Sequence, residues 1–197
     1  MIELLAITDG ATPPEPPLRA VDCDGVSVVC APAREGEPDA DALWDREALL
    51  ERLMEDRDLL PMRFGTVVAD ERAAAEAIAP RSAALAAALE RVRGAVELSV
   101  RAIAHRPEAP ADGGEYLRER VAAERVARAL HEPLAALARD SAVLDGPEAL
   151  RAAYLVDRGE VGAFVERFCA LQREHRELAI VCTGPWPPYS FTGGDAP

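Results

Sequence analysis

The side chains that could bind a metal ion or carry out catalysis are few and scattered along this chain of 197 residues. Its three histidines, His105, His131 and His175, fall in separate segments with no shared helical face, so they do not predict a metal site. His131 and Glu132 begin like a zinc-protease helix, but no second histidine follows at the required spacing. The run of residues 22–25 resembles a fragment of a calcium loop. It lacks the later acidic ligands, so a plain turn is favoured.

The four cysteines have neither the spacing of a zinc site nor that of a redox pair. We predict small buried hydrophobic residues of a reducing compartment at Cys23, Cys30, Cys169 and Cys182. Cys169 and His175 lie on different faces of one predicted helix, because they are six residues apart. The sequence has no nucleophile elbow, no glycine-rich phosphate loop and no lysine. We therefore expect no enzyme, no catalytic residue, no cofactor and no metal site. A hydrolase with an unrecognised dyad at Cys169 or His131 is the minor alternative.

The charge of the chain restricts its partners. The formal net charge is −13 and the isoelectric point is near 4.7, so a phosphate backbone or an anionic membrane surface would be repelled. No stretch reaches the roughly 18 apolar residues of a membrane span, and the N-terminus has no basic region typical of a secretion signal. We expect no nucleic-acid binding, no membrane span and a cytoplasmic location.

Two short segments differ from the alanine- and arginine-rich background. The first consists of Pro61, Met62, Arg63, Phe64 and Gly65. Proline fixes the backbone here, and glycine permits a close approach or a bulge. Strand alternation would point Arg63 away from its two apolar neighbours. The segment is either a structural loop under the second domain or part of a partner surface.

The second segment lies near the C-terminus and consists of Gly184, Pro185, Trp186, Pro187, Pro188, Tyr189, Ser190 and Phe191. Gly184 is expected to end the last strand, and the prolines to hold the residues after it in an extended, polyproline-like path. A rigid backbone carrying three aromatic rings gives a large contact area at a small entropy cost. The segment either clamps the end of the chain onto its own fold, with Trp186 as anchor, or binds a partner, and the two roles are compatible.

The first half of the chain is predicted to mix helices and strands, in an order that does not determine a topology. The predicted elements are strands over 2–7 and 26–30, a helix over about 41–58, a loop over 60–68 that enters a strand, and a helical stretch over 70–93. Asp39 or Asp41 can cap the first helix, and Pro80 starts a new helical segment or kinks the old one. The apolar face of the first helix is predicted to hold Leu43, Trp44, Leu50, Leu53 and Met54.

The second half is predicted to alternate strands and helices. Its elements are strands over 96–102, 152–156 and 178–182, a loop over 106–114, a helix over about 117–137 that Pro133 breaks or kinks, and a helix over 161–172. The sequence also allows a further short strand at 142–144, which would complete the β-α-β-β-α-β order of a ferredoxin-like fold.

Four motifs in this order resemble the GvpL/GvpF family of gas vesicle proteins. They are Leu59–Val67, Glu115–Leu117 after a pair of glycines, Ala153–Val156, and Gly184–Phe191. The last is similar to the family's terminal motif almost residue for residue. Together the motifs span residues 59 to 191, whereas the proline-rich stretch at 12–17 obscures the comparison near the N-terminus.

The resemblance implies an α+β protein with two domains. The expected domains are a mixed α/β N-terminal domain over 1–93 and a ferredoxin-like C-terminal domain with extra helix over 94–192, followed by a flexible tail over 193–197. The implied role is that of an accessory or minor structural protein that binds the gas vesicle shell protein and other accessory proteins, without catalytic residues. A ferredoxin-like module that binds a small regulatory ligand is the main alternative.

Overall fold

The computed structural model describes residues 1–10, 15–34, 39–104, 113–146 and 148–192, with side chains for all of these except 104 and 113–120. The predicted tail over 193–197 and most of the predicted loop over 106–114 lie outside the described residues. The described residues form two compact units. Unit 1 contains residues 1–95 and 187–192, and unit 2 contains residues 96–186.

Unit 1 is built on one antiparallel sheet with three helices. Its elements are β1 (Ile2–Thr8), β2 (Arg19–Asp22), β3 (Ser27–Pro32), α1 (Ala40–Asp56), β4 (Leu59–Pro61), β5 (Val67–Val68), α2 (Glu71–Ile78) and α3 (Ser82–Val92). The strand order is β2-β3-β1-β4, and β5 also pairs with β1. Residues 4–8 of β1 are all buried, as expected for a central strand covered on both faces.

Local sequence explains where the helices of unit 1 begin and break. The Asp39 carboxylate caps α1 by accepting a hydrogen bond from the backbone N–H of Ala42 (2.8 Å). Of the two predicted capping residues, Asp39 is therefore the one confirmed. Asp70 caps α2 in the same way through Ala73 (2.9 Å). Pro80 lies in a short 3-10 turn between α2 and α3, as the predicted break requires, because proline has no N–H for the helix.

Three expectations for unit 1 need correction. Strand β2 was not predicted, because its alternation is short and follows a proline-rich stretch. The stretch expected to be a loop entering a strand is instead two short strands, β4 and β5, with a turn between them. The predicted apolar face of α1 is also wrong in part. Leu50, Leu53 and Met54 are buried, whereas Leu43 is 44% and Trp44 69% exposed.

Unit 2 is built on a second sheet with two helices. Its elements are β6 (Ala95–Ala104), α4 (Gly113–Ala135), β7 (Asp140–Val143), β8 (Leu150–Asp157), α5 (Val161–Glu174) and β9 (Leu178–Trp186). The strand order is β7-β8-β6-β9, and the β6–β9 and β7–β8 pairs are antiparallel. Alternate residues of β6 (Leu98, Val100 and Ala102) enter the core, which confirms the predicted alternation over this part of the strand. Glu97, which was expected on the outward face, is instead buried.

The helices of unit 2 cover that core. Leu130 and Leu134 of α4 and Phe164 and Phe168 of α5 are among the buried residues that contact it. Helix α4 continues through Pro133 and ends at Ala135, so the proline lies in its final turn. Together the two units confirm a mixed α+β fold with two antiparallel sheets. No helix in the described part of the chain is long and apolar enough to span a membrane.

Candidate partner-binding segments

The first candidate segment is a tight turn between β4 and β5, which pair with neighbouring parts of β1. Thr66 closes the turn by donating its backbone N–H (3.3 Å) and its hydroxyl (2.8 Å) to the oxygen of Arg63. Gly65 has a φ of +76°, in the left-handed region that glycine adopts without a steric penalty. The turn leaves Arg63 exposed and Phe64 half-buried.

The start of this turn is fixed to the sheet. Pro61 is buried at the end of β4, and Met62 is 2% exposed. The N–H of Met62 donates to the oxygen of Leu5 (2.9 Å), where a bulge interrupts the pairing of β1 with β3. The segment is therefore built from a buried half, Pro61–Met62, and an outward half, Arg63–Gly65.

A buried arginine of α1 holds the turn in place. Arg46 is 5% exposed, and its guanidinium donates to Glu3 Oε1 (2.5 Å) and to the backbone oxygens of Met62 (2.5 Å) and Leu5 (3.2 Å). Its guanidinium carbon also lies 5.5 Å from the centre of the Phe64 ring, within cation–π range. Sequence reasoning missed Arg46. Arg46 lies four residues before Leu50 and seven before Leu53, so helical periodicity places it on their otherwise apolar face. That position was the available signal.

The C-terminal segment begins inside β9. Gly184 was expected to end that strand, but β9 continues to Trp186. The register with β6 shifts between the pairs Glu97–Trp186 and Ser99–Thr183, so β9 carries one extra residue, a β-bulge. A bulge accommodates Pro185, which has no N–H to donate. At Gly184 the φ is +118°, and a Cβ would lie 2.7 Å from the oxygen of Glu97.

The remainder of the segment belongs to unit 1, although residues 187–192 were expected in the second domain. Pro187 and Pro188 are buried, and residues 189–191 form a 3-10 turn rather than the extended path that was predicted. Arg91 of α3 donates to the backbone oxygen of Phe191 (2.7 Å), and the Phe191 side chain is 5% exposed. These contacts hold the end of the segment on unit 1.

Neighbouring residues of α1 contact both candidate segments. Glu47 follows Arg46, and its carboxylate accepts a hydrogen bond from the phenol hydroxyl of Tyr189 (2.8 Å). Trp186, the expected anchor, is half-buried in unit 2, and its indole N–H donates to the Thr183 hydroxyl (3.2 Å). Among the three aromatic residues of the segment, Phe191 is the buried one.

A groove of about 500 Å³ opens beside Arg46 in unit 1. Its walls come from β1, β3 and α1, with Phe64 and the loop residues 15–18 at its sides. Its lining includes the ion pair of Arg34 with Asp45 (2.6 Å) as well as apolar residues such as Leu5 and Leu49. The groove is therefore a recess of mixed chemistry next to the first candidate segment.

The residues considered for metal binding or catalysis do not gather into one site. His105 lies outside the described residues, and no group of three potential metal ligands occurs within the described ranges. Asp22–Gly25 forms the turn between β2 and β3, where the Asp22 carboxylate accepts the N–H of Asp24 (3.0 Å). The predicted turn is therefore present at these residues.

His131 and Cys169, the two residues named for the minor hydrolase alternative, lie in unit 2. His131 Nδ1 is 2.9 Å from the hydroxyl of Tyr154, and burial raises the pKa of that phenol. Burial, with a smaller contribution from Cys169, raises the pKa of the Cys182 thiol to about 11. Cys23 and Cys30 are buried as predicted, whereas Cys169 is exposed.

Comparison with known proteins gives a consistent result over both units. A family model described as "Gas vesicle synthesis protein GvpL/GvpF" matches residues 6–115 and 113–193. Gas vesicle protein L of Streptomyces sp. (strain CB03234) is 30% identical over an aligned length of 187 residues, and the alignment covers 78% of this chain and 70% of that protein. Gas vesicle protein F1 of Halobacterium salinarum is 29% identical over 137 residues, which cover 70% of this chain and 61% of that protein.

Solved structures share the fold. Gas vesicle protein GvpF from Microcystis aeruginosa superimposes with a TM-score of 0.80 at 20% identity, covering 97% of this chain and 98% of that one. Gas vesicle protein GvpF from Anabaena sp. PCC7120 gives a TM-score of 0.81 at 19% identity, covering 98% and 96%. At these identities the structural likeness shows the fold alone.

Proposed function

Because the chain belongs to the GvpL/GvpF family of gas vesicle proteins, we propose that it is an accessory or minor structural protein of gas vesicle assembly. In that role it binds the hydrophobic shell protein and other assembly factors. The observation that carries the proposal is the family match, which runs through both units, over 6–115 and 113–193. It acts in the cytoplasm in association with gas vesicles, and no catalytic step is assigned to it.

The physical requirements of assembly suit such a protein. A shell that keeps liquid water out needs subunits with a strongly apolar face, and before assembly that face is prone to aggregate. A partner with a net charge of −13 keeps a complex soluble by repulsion between complexes. Exposed apolar and aromatic side chains on the same protein can cover part of the apolar face of the subunit.

The two candidate segments receive different roles. The turn at Pro61–Gly65 offers Arg63 and part of Phe64 to a partner, while Arg46 holds it in position. The segment from Gly184 to Phe191 acts chiefly as an internal clamp. Its support is the bulge at Gly184 and the bonds of Tyr189 and Phe191 within unit 1.

Each unit is proposed to be a folding domain, the first over about 1–93 and the second from residue 94. For the second unit we propose a ferredoxin-like domain in which α4 supplies the extra helical length. Its strand order, β7-β8-β6-β9, and its β-α-β-β-α-β sequence of elements support that assignment.

Co-expression with the shell protein of the same organism tests the proposed function. A tagged form of this chain should retain the shell protein in the soluble fraction and co-elute with it in size-exclusion chromatography. An unrelated protein of similar size and acidity is the matched control. Shell protein that aggregates equally with both proteins, with no co-eluting complex, contradicts the proposal.

A further inference from the structure

The most exposed large aromatic side chain in the described part of the chain is Trp44, on the first half of α1. It is 69% exposed, and Leu43 beside it is 44% exposed. A tryptophan at this exposure leaves a large apolar area in water, which is unfavourable unless a partner covers it. The α1 core contacts come from the opposite side of the helix, through Leu50 and Leu53, so Trp44 does not contribute to that core.

The helix around Trp44 presents the ring within an acidic rim. Side chains three, four and seven residues away share its face of an α-helix. The described residues at those positions are Ala40, Asp41, Glu47, Ala48 and Glu51. Two of these five residues are alanines, whose small side chains leave room beside the ring, three are acidic, and none of the five is basic.

The C-terminal segment enlarges this surface. The phenol of Tyr189 donates to Glu47 (2.8 Å), and the Tyr189 side chain is 38% exposed. Because Leu43 lies one turn before Glu47, this bond brings the phenol to the side of α1 that carries Leu43. Leu43 and Trp44 are thus exposed on α1, and Tyr189 is exposed where it bonds to the same helix. These three side chains are hereafter called the Trp44 surface.

We propose that the Trp44 surface is the docking site for a partner segment that places an apolar side chain on the indole and carries arginine or lysine beside it. This inference rests on the proposed function, since it identifies where and by what chemistry an assembly partner binds. Charge complementarity selects this occupant, because a basic flank neutralises the carboxylates of Asp41, Glu47 and Glu51.

The same charges disfavour a second copy of this chain as the occupant. Two copies meeting at this surface would place one acidic rim against another, and each copy carries a net charge of −13. Tryptophan and tyrosine are enriched among the residues that dominate binding energy at interfaces. Truncation of Trp44 is therefore expected to weaken binding by about thirtyfold, the effect typical of such residues.

The test measures binding of the co-expressed gas vesicle shell protein to the full chain and to single variants. Trp44→Ala should lower the affinity about thirtyfold while leaving the unfolding transition unchanged, because the side chain is 69% exposed. The matched control is Val165→Ala, an exposed helical position (41%) in unit 2, which should bind as the unaltered chain does. Glu51→Gln should slow association and weaken its dependence on salt concentration.

The outcomes separate this inference from the proposed function. Capture of the shell protein by the unaltered chain and by Trp44→Ala with equal affinity overturns the docking site and leaves the proposed function standing. A dimer of this chain that Trp44→Ala converts to monomers, with shell-protein capture unchanged, assigns the surface to a second copy and also overturns the inference. Binding by none of the proteins, the unaltered chain included, overturns the proposed function and the inference together.

Discussion

Replacing Arg46 with methionine tests whether this buried arginine holds the turn after β4. Methionine keeps much of the length and apolar volume of the arginine stem but removes every donor. The oxygens of Glu3, Leu5 and Met62 lose the guanidinium that lies 2.5 to 3.2 Å from them. The perturbation therefore removes one partner of a buried ionic and hydrogen-bonded group while disturbing the packing little.

The expected cost follows from the burial of the groups that remain. Removing one partner of a buried ion pair typically costs about 3–5 kcal/mol, because the other charge stays buried and unpaired. The Glu3 side chain is 13% exposed, so water can approach it in part. We therefore expect the lower end of that range, about 3 kcal/mol in the stability of unit 1. Arg52→Met, an exposed arginine on the same helix, should change stability by less than about 0.5 kcal/mol.

Native-state amide hydrogen exchange at Met62 is the appropriate assay. Its N–H donates to Leu5 (2.9 Å) within the region that Arg46 secures, and a local probe does not require the two units to unfold together. Arg46→Met should lower the opening free energy of this amide by about 3 kcal/mol, since opening then breaks fewer bonds. An opening free energy that changes no more than it does in Arg52→Met would refute the anchoring role of Arg46.

The remaining predictions concern β9, the C-terminal segment and the thiols. Gly184→Ala should destabilise unit 2 by about 2 kcal/mol or more in urea unfolding, because of its φ of +118° and a backbone oxygen of β6 only 2.7 Å from the new methyl group. Gly159→Ala, where a Cβ meets nothing within 4 Å, should be near neutral, and equal effects would contradict the bulge argument. Truncation after Trp186 keeps β9 but removes the clamp, so unit 1 should lose exchange protection while unit 2 keeps it; unchanged protection in unit 1 would contradict the clamp. In the folded protein Cys169 should react first with iodoacetamide, as read by peptide mass spectrometry, because it is exposed. Folding raises the pKa of the Cys182 thiol from 9.0 to about 11. As pH rises between these two values, the unfolded chain loses the thiol proton before the folded protein does. The free energy of unfolding should therefore fall over this pH range. Equal labelling rates, or stability that rises over that pH range, would contradict these two expectations.

Much of the fold could be predicted because periodicity follows directly from local structure. The alternation of Leu98, Val100 and Ala102 indicated β6, and the capping position of Asp39 indicated the start of α1. The end of β9 could not be predicted in this way. Glycine followed by proline usually ends a strand, and only the pairing with β6 shows that Gly184 and Pro185 form a bulge.

The candidate site was predictable in composition but not in its contacts. The unusual residues of the two segments identified them, whereas their partners Arg46 and Glu47 lie on another element of unit 1, 16 residues before Met62 and 142 residues before Tyr189. The exposure of Trp44 was also unpredictable, because an apolar residue next to Leu43 suggests a core position unless the helix rotation is known. Tertiary packing fixed that rotation by placing Leu50 and Leu53 in the core.

Deletion of the gene for this chain in its own organism tests the role in gas vesicle assembly most directly. Counting gas vesicles per cell by electron microscopy should show few or none in the deletion strain, and the full chain supplied in trans should restore them. Complementation with Trp44→Ala should restore fewer vesicles than complementation with Val165→Ala. A deletion strain with normal vesicle number and shape would contradict the proposed role.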